Sequence, residues 1–425
     1  MNILVIAYHL GGVTAEGLIT AKLLRALAAC GHRVEVIAGA AEDVAPPPPG
    51  VRVHRIGPRE RAGAAWRQRI ERRARTSRAW DRLAAAINVI DGVSGTERAW
   101  VKAAAARAGA LIKAGPRFDV LHSRLNPVSS HLAALATLRK HPRDLPWCAY
   151  FSDPWPHHRY PPPYRFTSGR IARARGEGQL TTLVRRADSL VLPDARLRDH
   201  LLAGRLRPAR AKTLIAPHLG TACWPPAVGE AQRGRILRLR HCGFLMRERR
   251  IEPLAEALER LVARRPEARD CLRIEFAGRY PTGQPPAVPS GLETMIRFRP
   301  YLPPPAARGW LAGADVFLLV EADMKEGIFF PSKLADYLSG ERPILALSPR
   351  CGVAADRLAH GGGLLAPPAD SAAIEAALES LLRGWREGWL ADLRPSAEQR
   401  RSVSAQVVVA CYEAAFRHAG AQEPA

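Results

Sequence analysis

Residues 326–347, EGIFFPSKLADYLSGERPILAL, spell out a turn, a helix and a strand in succession. The apolar run Val316-Phe317-Leu318-Leu319-Val320 comes before them and reads as a buried strand. Pro331, Ser332 and Lys333 form the turn, and Leu334, Tyr337 and Leu338 share one face of the short helix that follows. Gly340 ends that helix, Pro343 resets the chain, and Ile344-Leu345-Ala346-Leu347 is the next strand. Strand, helix and strand in this order are the unit of a parallel sheet.

The same window has the chemistry of a phosphate-and-sugar site. A turn feeding a helix start offers backbone N–H groups to an anion. Ser332 adds a hydroxyl and Lys333 a cation there. Asp336 stands one turn into the helix, where a carboxylate can accept hydrogen bonds from sugar hydroxyls, and Glu326 is a second acid ahead of the turn. The competing reading is a Ser-capped helix with solvated charges.

Outward from this window the same pattern repeats. Asn2 to Ala7 is a buried strand, followed by the turn Tyr8-His9-Leu10-Gly11-Gly12, a helix over about Thr14 to Cys30, and the strand Arg33 to Ala38. Gly11 and Gly12 stand at the place where α/β sheets bind ligands, but with no partner motif beside them a tight strand-to-helix turn is the favoured reading. No Gly-x-Gly-x-x-Gly is present, so a dinucleotide fingerprint is excluded. Further strands are predicted at Val51–Ile56, Phe118–Ser123 and Trp147–Phe151, the last running into Ser152-Asp153-Pro154-Trp155. An acid just past a central strand, here Asp153, is a candidate active residue, with an Asx-turn as the alternative. Helices are predicted over Asn126–Thr137, Arg170–Arg186, Asp194–Leu202, Ala372–Leu382 and about Ala397–His418. The segment from Gly220 to Gly234 reads as a linker, after which strand and helix patterns start again at Ile236 and reach the turn Cys242-Gly243.

The length of 425 residues suits two domains. No apolar run reaches the roughly 18 residues of a membrane span, and the N-terminus lacks the basic start of a signal peptide. A cytoplasmic location is expected. Seven scattered cysteines with no Cys-x-x-Cys argue against a disulfide framework or a zinc site. The neighbouring His157 and His158 have no companion ligand, and no metal or cofactor is expected. The net charge of +23 favours polyanionic partners. Between Arg59 and Arg82 lie nine arginines interleaved with Trp66, Ile70 and Trp80. This segment, residues 59–82, is compatible with an anionic membrane surface, hence a peripheral position on the inner membrane face, or with a solvated helix packed on the sheet. No helix-turn-helix, RNA-recognition or zinc-finger pattern occurs, so specific nucleic-acid binding is not expected.

These residues resemble a known family. PSKLADYLSGERPILAL resembles the Lys-x-x-Glu-Tyr-Leu-Ala-x-Gly-x-Pro-Ile segment of the group 1 (family 4) glycosyltransferases, and GFLMRERRIEPLAEAL the opening of their second domain. RRADSLVLPDARLRDHL and LAGADVFLLV resemble their two Ala-Asp strand entries, and FSDPW the Asp-Pro-Trp turn of polysaccharide-assembly members. The resemblance implies an α/β chain of the GT-B type, two Rossmann-like domains facing each other across a cleft. The expected division is residues 1–222 for the acceptor side, 223–396 for the nucleotide-sugar donor side, and 397–425 as a C-terminal helix and tail crossing back to the first domain.

It further implies a retaining, metal-independent transfer of a sugar from a nucleotide-diphosphate sugar to a hydroxyl on a glycan or lipid-linked acceptor, in bacterial polysaccharide or envelope assembly. Lys333 and Arg249 then stabilise the diphosphate, aided by the turn at Ser332, Arg247 and Gly243. Asp336 takes the second position of the family's acidic pair. Eight residues earlier the first position holds Ile328, and Glu326 stands two residues away from it. The family's basic pair falls on Phe244 and Arg249, so one charge is missing. Asp153 is expected to orient or deprotonate the acceptor hydroxyl, and Gly11 and Gly12 to line the acceptor-side loop. The alternative to an enzyme is a non-catalytic GT-B scaffold or partner subunit.

Overall fold

A computed structural model describes residues 1–12, 14–40, 48–57, 95–141, 145–166, 169–224 and 235–421. The basic segment 59–82, the first half of the Pro46–Pro49 run and residues 225–234 of the expected linker lie outside the described residues.

The chain divides into two units, Met1–Tyr160 with Arg165–Pro217 and Ala405–Ala425, and Pro161–Tyr164 with His218–Ser404. The first unit is built on seven parallel strands: β1 (Asn2–Ile6), β2 (Arg33–Gly39), β3 (Val51–Ile56), β4 (Val120–Arg124), β5 (Trp147–Tyr150), β6 (Ser189–Leu192) and β7 (Thr213–Ile215). They lie in the order β3-β2-β1-β4-β5-β6-β7. The aliphatic run Ile3-Leu4-Val5-Ile6 is fully buried because helices cover both faces of such a sheet. Helix Ala15–Ala29 starts at Thr14, whose hydroxyl accepts from the Gly17 N–H, and buries Ile19, Leu23, Leu24 and Leu27. The final segment is two helices, Ala397–Ser402 and Ala405–Ala421, where the sequence pattern predicts one. The second of these helices belongs to the first unit, burying Val408, Val409, Tyr412 and Phe416.

The second unit is built on six parallel strands: β8 (Leu237–Cys242), β9 (Leu272–Ala277), β10 (Ile296–Arg299), β11 (Val316–Val320), β12 (Ile344–Leu347) and β13 (Gly363–Ala366), in the order β10-β9-β8-β11-β12-β13. Helices Glu252–Arg264 and Ser371–Glu387 close one face with Leu254, Leu258, Leu261, Ile374, Leu378 and Leu381. Helix Ser332–Leu338 closes the other with Leu334, Tyr337 and Leu338 against Phe317 and Leu319. The Tyr337 ring stacks on that of Phe317 at 4.7 Å. Gly340 follows this helix for a packing reason, since a Cβ there would stand 2.7 Å from the Phe317 ring.

Each sheet reverses its direction of growth at one place. In the first, the chain steps outward from β1 through β2 to β3, then returns to β4 on the other side of β1. In the second, it steps from β8 through β9 to β10 and returns to β11. At such points neighbouring crossovers run to opposite faces and leave a crevice at the carboxyl ends of the strands.

Candidate functional site

In the second unit the crevice opens between the ends of β8 and β11. β8 ends at Cys242, and Gly243 turns the chain with φ 129°, a conformation side chains disfavour. Lys333, on helix Ser332–Leu338, lays its side chain across this glycine. A Cβ on Gly243 would stand 2.5 Å from Lys333 Cε and 2.8 Å from Nζ. Gly278 makes room on the other side, since its own Cβ would fall 1.9 Å from the Gly243 carbonyl oxygen. Bare backbone at 243 and 278 therefore seats the ammonium at the strand ends.

Arg249 approaches the same point from the loop after β8. Its Nη1 reaches the Phe244 carbonyl at 3.5 Å, and its buried Nε has no hydrogen-bond partner. Burial, followed by repulsion from Arg249, lowers the Lys333 ammonium to about 8. Cys242, Asp336 and Glu321 pull it back upward. Glu321, the first residue after β11, is 4% exposed and accepts from the Ser348 hydroxyl at 2.5 Å. Burial raises its carboxyl, with Arg249 and Lys333 opposing. His241 on β8 is held well below its ordinary range by burial first, then by Lys333. Its Nδ1 lies 3.0 Å from the Leu318 carbonyl oxygen.

The structure thus gathers Lys333, Arg249 and Gly243. Ser332 is the first residue of the helix, and Pro331, with no side-chain hydrogen bond, occupies the capping position, so Ser332 is not the cap. The helix has only seven residues, which leaves charge stabilisation mainly to the two side chains. Asp336 accepts from the Thr221 hydroxyl at 2.8 Å, while Ser339 accepts from the Thr221 N–H at 3.1 Å and the Trp224 indole at 3.0 Å. Glu326 is exposed on the loop between β11 and the helix, and Arg247 is exposed on the loop after β8. Ile328 is buried at 3% exposure, and Phe244 is 46% exposed. The acid next to Lys333 that sequence reading missed is Glu321, whose signal was its place immediately after a buried strand.

In the first unit, Gly11 and Gly12 follow β1 with φ 70° and 72°. Their loop curls onto the helix start, where Gly11 N–H donates to the Gly17 carbonyl at 2.8 Å. Asp153, past the end of β5, accepts from Ser152 Oγ at 2.9 Å and Asn126 Nδ2 at 3.2 Å. His158 pairs with Glu177 at 2.8 Å and His157 stacks on Phe166 at 5.1 Å. Among the described residues no group of three or more His, Cys, Asp or Glu side chains could hold a metal ion, and no helix is long and apolar enough to cross a membrane.

Residues 237–384 match the family model described as glycosyl transferases group 1. No curated protein matches the chain. Among solved structures, an alpha,alpha-trehalose 6-phosphate synthase from Burkholderia multivorans is similar at 13% identity and a TM-score of 0.59, covering 98% of each chain. A structure described as trehalose-6-phosphate from E. coli bound with UDP-2-fluoro glucose is similar at 13% identity and a TM-score of 0.55, covering 98% of this chain and 97% of that one. A lipopolysaccharide outer core galactosyltransferase is similar at 10% identity and a TM-score of 0.57, covering 98% of this chain and 99% of that one. These likenesses establish the fold, which is GT-B.

Proposed function

We propose, for a chain whose residues 237–384 form a group 1 glycosyltransferase domain, that it moves a sugar from a nucleotide-diphosphate sugar to a hydroxyl acceptor with retention of anomeric configuration. The observation carrying this reading is the pair of cations, Lys333 across Gly243 and Arg249 beside it, at the crossover point of the second sheet. Breaking the bond from the anomeric carbon to the diphosphate places negative charge on the leaving oxygen. Two fixed, partly desolvated cations lower the energy of that state more than that of the bound donor. Asp336 and Glu326 are assigned to hydroxyls of the donor, and Ser332 and Arg247 to its phosphates. In the first unit, Asp153 is assigned to the acceptor hydroxyl, with Gly11 and Gly12 forming the loop the acceptor meets. The setting proposed is bacterial polysaccharide or envelope glycan assembly on the cytoplasmic side, with a glycan or lipid-linked acceptor.

A thermal-shift screen over UDP-, GDP- and dTDP-sugars tests the donor side, because a ligand bound only by the folded chain raises its melting temperature. UDP-glucose is the first candidate, given the UDP-2-fluoro glucose of the E. coli structure. Lys333→Ala is expected to remove the shift and to lower transfer by about 10²- to 10³-fold, with the melting temperature of the free chain little changed. Wild-type turnover in this variant would defeat the assignment. The second reading, a non-catalytic GT-B scaffold, draws on Phe244 and Ile328 standing where the resemblance expects a base and an acid. It is favoured if calorimetry finds no binding to any of the three sugar classes.

A further inference from the structure

The second unit opens with a strap, residues 218–224, that is fastened to the end of helix Ser332–Leu338. Gly220 allows the close approach, since a Cβ there would stand 2.7 Å from the Ala335 carbonyl oxygen and 2.6 Å from Ser339 Cβ. The Gly220 N–H donates to the Val403 carbonyl at 2.9 Å, in the gap between helices Ala397–Ser402 and Ala405–Ala421. Ser339, the residue after the shorter helix, holds the strap from the other side. Its hydroxyl accepts from the Thr221 N–H at 3.1 Å and from the Trp224 indole at 3.0 Å, and donates to the Asp336 carbonyl at 2.7 Å. One hydrogen and two lone pairs are all that a serine hydroxyl has, so Ser339 is fully used in this fastening. The Trp224 ring packs on Phe317 of β11, with 5.0 Å between ring centres.

The backbone of Thr221 is thereby fixed, and its side chain points at the acid of the candidate donor site. Thr221 is only 8% exposed, and its hydroxyl donates to Asp336 Oδ1 at 2.8 Å. Hydrogen bonds to an ionised acceptor are stronger than those between neutral groups. An aspartate on a helix can otherwise turn about its side-chain bonds. A donor held by a separate segment of the chain selects one setting of that carboxylate. Lys333 and Asp336 stand three apart on the same helix and are neighbours on its surface. Holding the carboxylate still on the helix therefore holds it still relative to the ammonium that lies across Gly243.

We propose that Thr221 is a positioning residue for Asp336, setting its carboxylate at a fixed spacing from Lys333 so that one donor meets both, phosphate on the lysine and hydroxyl on the aspartate. Thr221 itself makes no bond to the donor. This inference rests on the assignment of Asp336 to donor hydroxyls, and two probes separate the fate of the one from that of the other.

The probes are UDP-glucose and inorganic pyrophosphate, which has the phosphates and no sugar, each titrated calorimetrically into the full chain. Thr221→Val keeps the shape and removes the hydroxyl. It is expected to weaken UDP-glucose about fivefold and to leave pyrophosphate unchanged, with Thr221→Ser restoring the loss. In an Asp336→Ala background, itself weakened toward UDP-glucose, Thr221→Val is expected to cost nothing further. In transfer assays the same substitution in the wild type should raise KM for the donor and leave kcat in place. Equal weakening of both probes, tracking a fall in melting temperature, means that Thr221 merely holds the fold, and overturns the proposal. Losses that multiply in the double variant overturn it too, because Thr221 then acts by another route than Asp336. Wild-type affinity for UDP-glucose in Thr221→Val, with Asp336→Ala weakened, overturns the proposal and leaves the assignment of Asp336 standing. Wild-type affinity in Asp336→Ala removes that assignment and the proposal with it.

Discussion

Lys333 combines two demands that ordinarily conflict. In the donor site proposed above it must be desolvated enough to act strongly on a phosphate and yet remain charged. The glycines at 243 and 278 supply the space, while burial and Arg249 lower its ammonium to about 8. Below that pH the side chain is a cation, and above it progressively neutral. A bound diphosphate favours the charged form, so donor binding takes up protons at higher pH. The dissociation constant of the donor is therefore expected to be flat up to about pH 8 and to rise beyond it, measured by calorimetry across a pH series, with Lys333→Arg, charged throughout, removing the rise. Lys333 and Asp336 were legible as candidates because a Pro-Ser-Lys turn after an apolar strand is a local pattern. Glu321, Glu16 and Arg124 were not legible. Glu321 follows a strand, Arg124 ends one and Glu16 opens a helix, and each is a single charge whose partners lie elsewhere in the sequence, such as Ser348 for Glu321 and Tyr412 for Arg124.

Two elements hold their sites in place by contacts that invite direct tests. The loop between β11 and helix Ser332–Leu338 is pinned where Gly327 bridges Gly352, with the Gly327 N–H donating to the Cys351 carbonyl at 2.9 Å and the Val353 N–H to the Gly327 carbonyl at 2.8 Å. Gly352 has φ 151°, and a Cβ there would stand 2.6 Å from the Gly327 Cα. Gly352→Ala is expected to cost more than about 1 kcal/mol in denaturant unfolding and to weaken donor binding by displacing that loop. Helix Ala405–Ala421 is tied to the first sheet by Tyr412 on Arg124 and by Ser189 donating to the Ala415 carbonyl at 2.9 Å. Tyr412→Phe keeps the ring and strands a buried guanidinium N–H, so unfolding should become easier by about 1–3 kcal/mol. Strands were readable from their apolar runs because both faces of a parallel sheet are covered. The break at Val403 and Ser404 was not, since helical spacing continues across it and only the division into units, with Ser404 in one and Ala405 in the other, requires it.

Taken whole, the chain carries a charge of +23, and arginine side chains are already spent on internal partners at several places. Arg260 and Arg264 converge on the buried Glu375 at 2.9 and 2.6 Å, and Arg159 and His158 share Glu177. The remaining surface excess should draw the chain to anionic vesicles or heparin in a manner screened by salt. Cosedimentation with vesicles containing phosphatidylserine is expected to be strong at low ionic strength and to fall steeply toward about 0.5 M salt. Retention at high salt would point instead to an apolar anchor. The architecture was legible because the βα grammar begins twice, near Asn2 and near Ile236. The crossover points were not, because strand order is a property of pairing in space and leaves no mark on hydrophobic periodicity.

The return of helix Ala405–Ala421 to the first unit has a bearing on how the protein is made. Along the chain, residues 218–404 are synthesised before that helix, so the second unit is complete in sequence while the first still lacks a layer over β5 to β7. A chain cut after Ser404 and released would carry every residue of the second unit and an unsealed first one. Its exposed apolar surface would be open to chaperones until that helix packs. The unit synthesised first is thus the last to be finished.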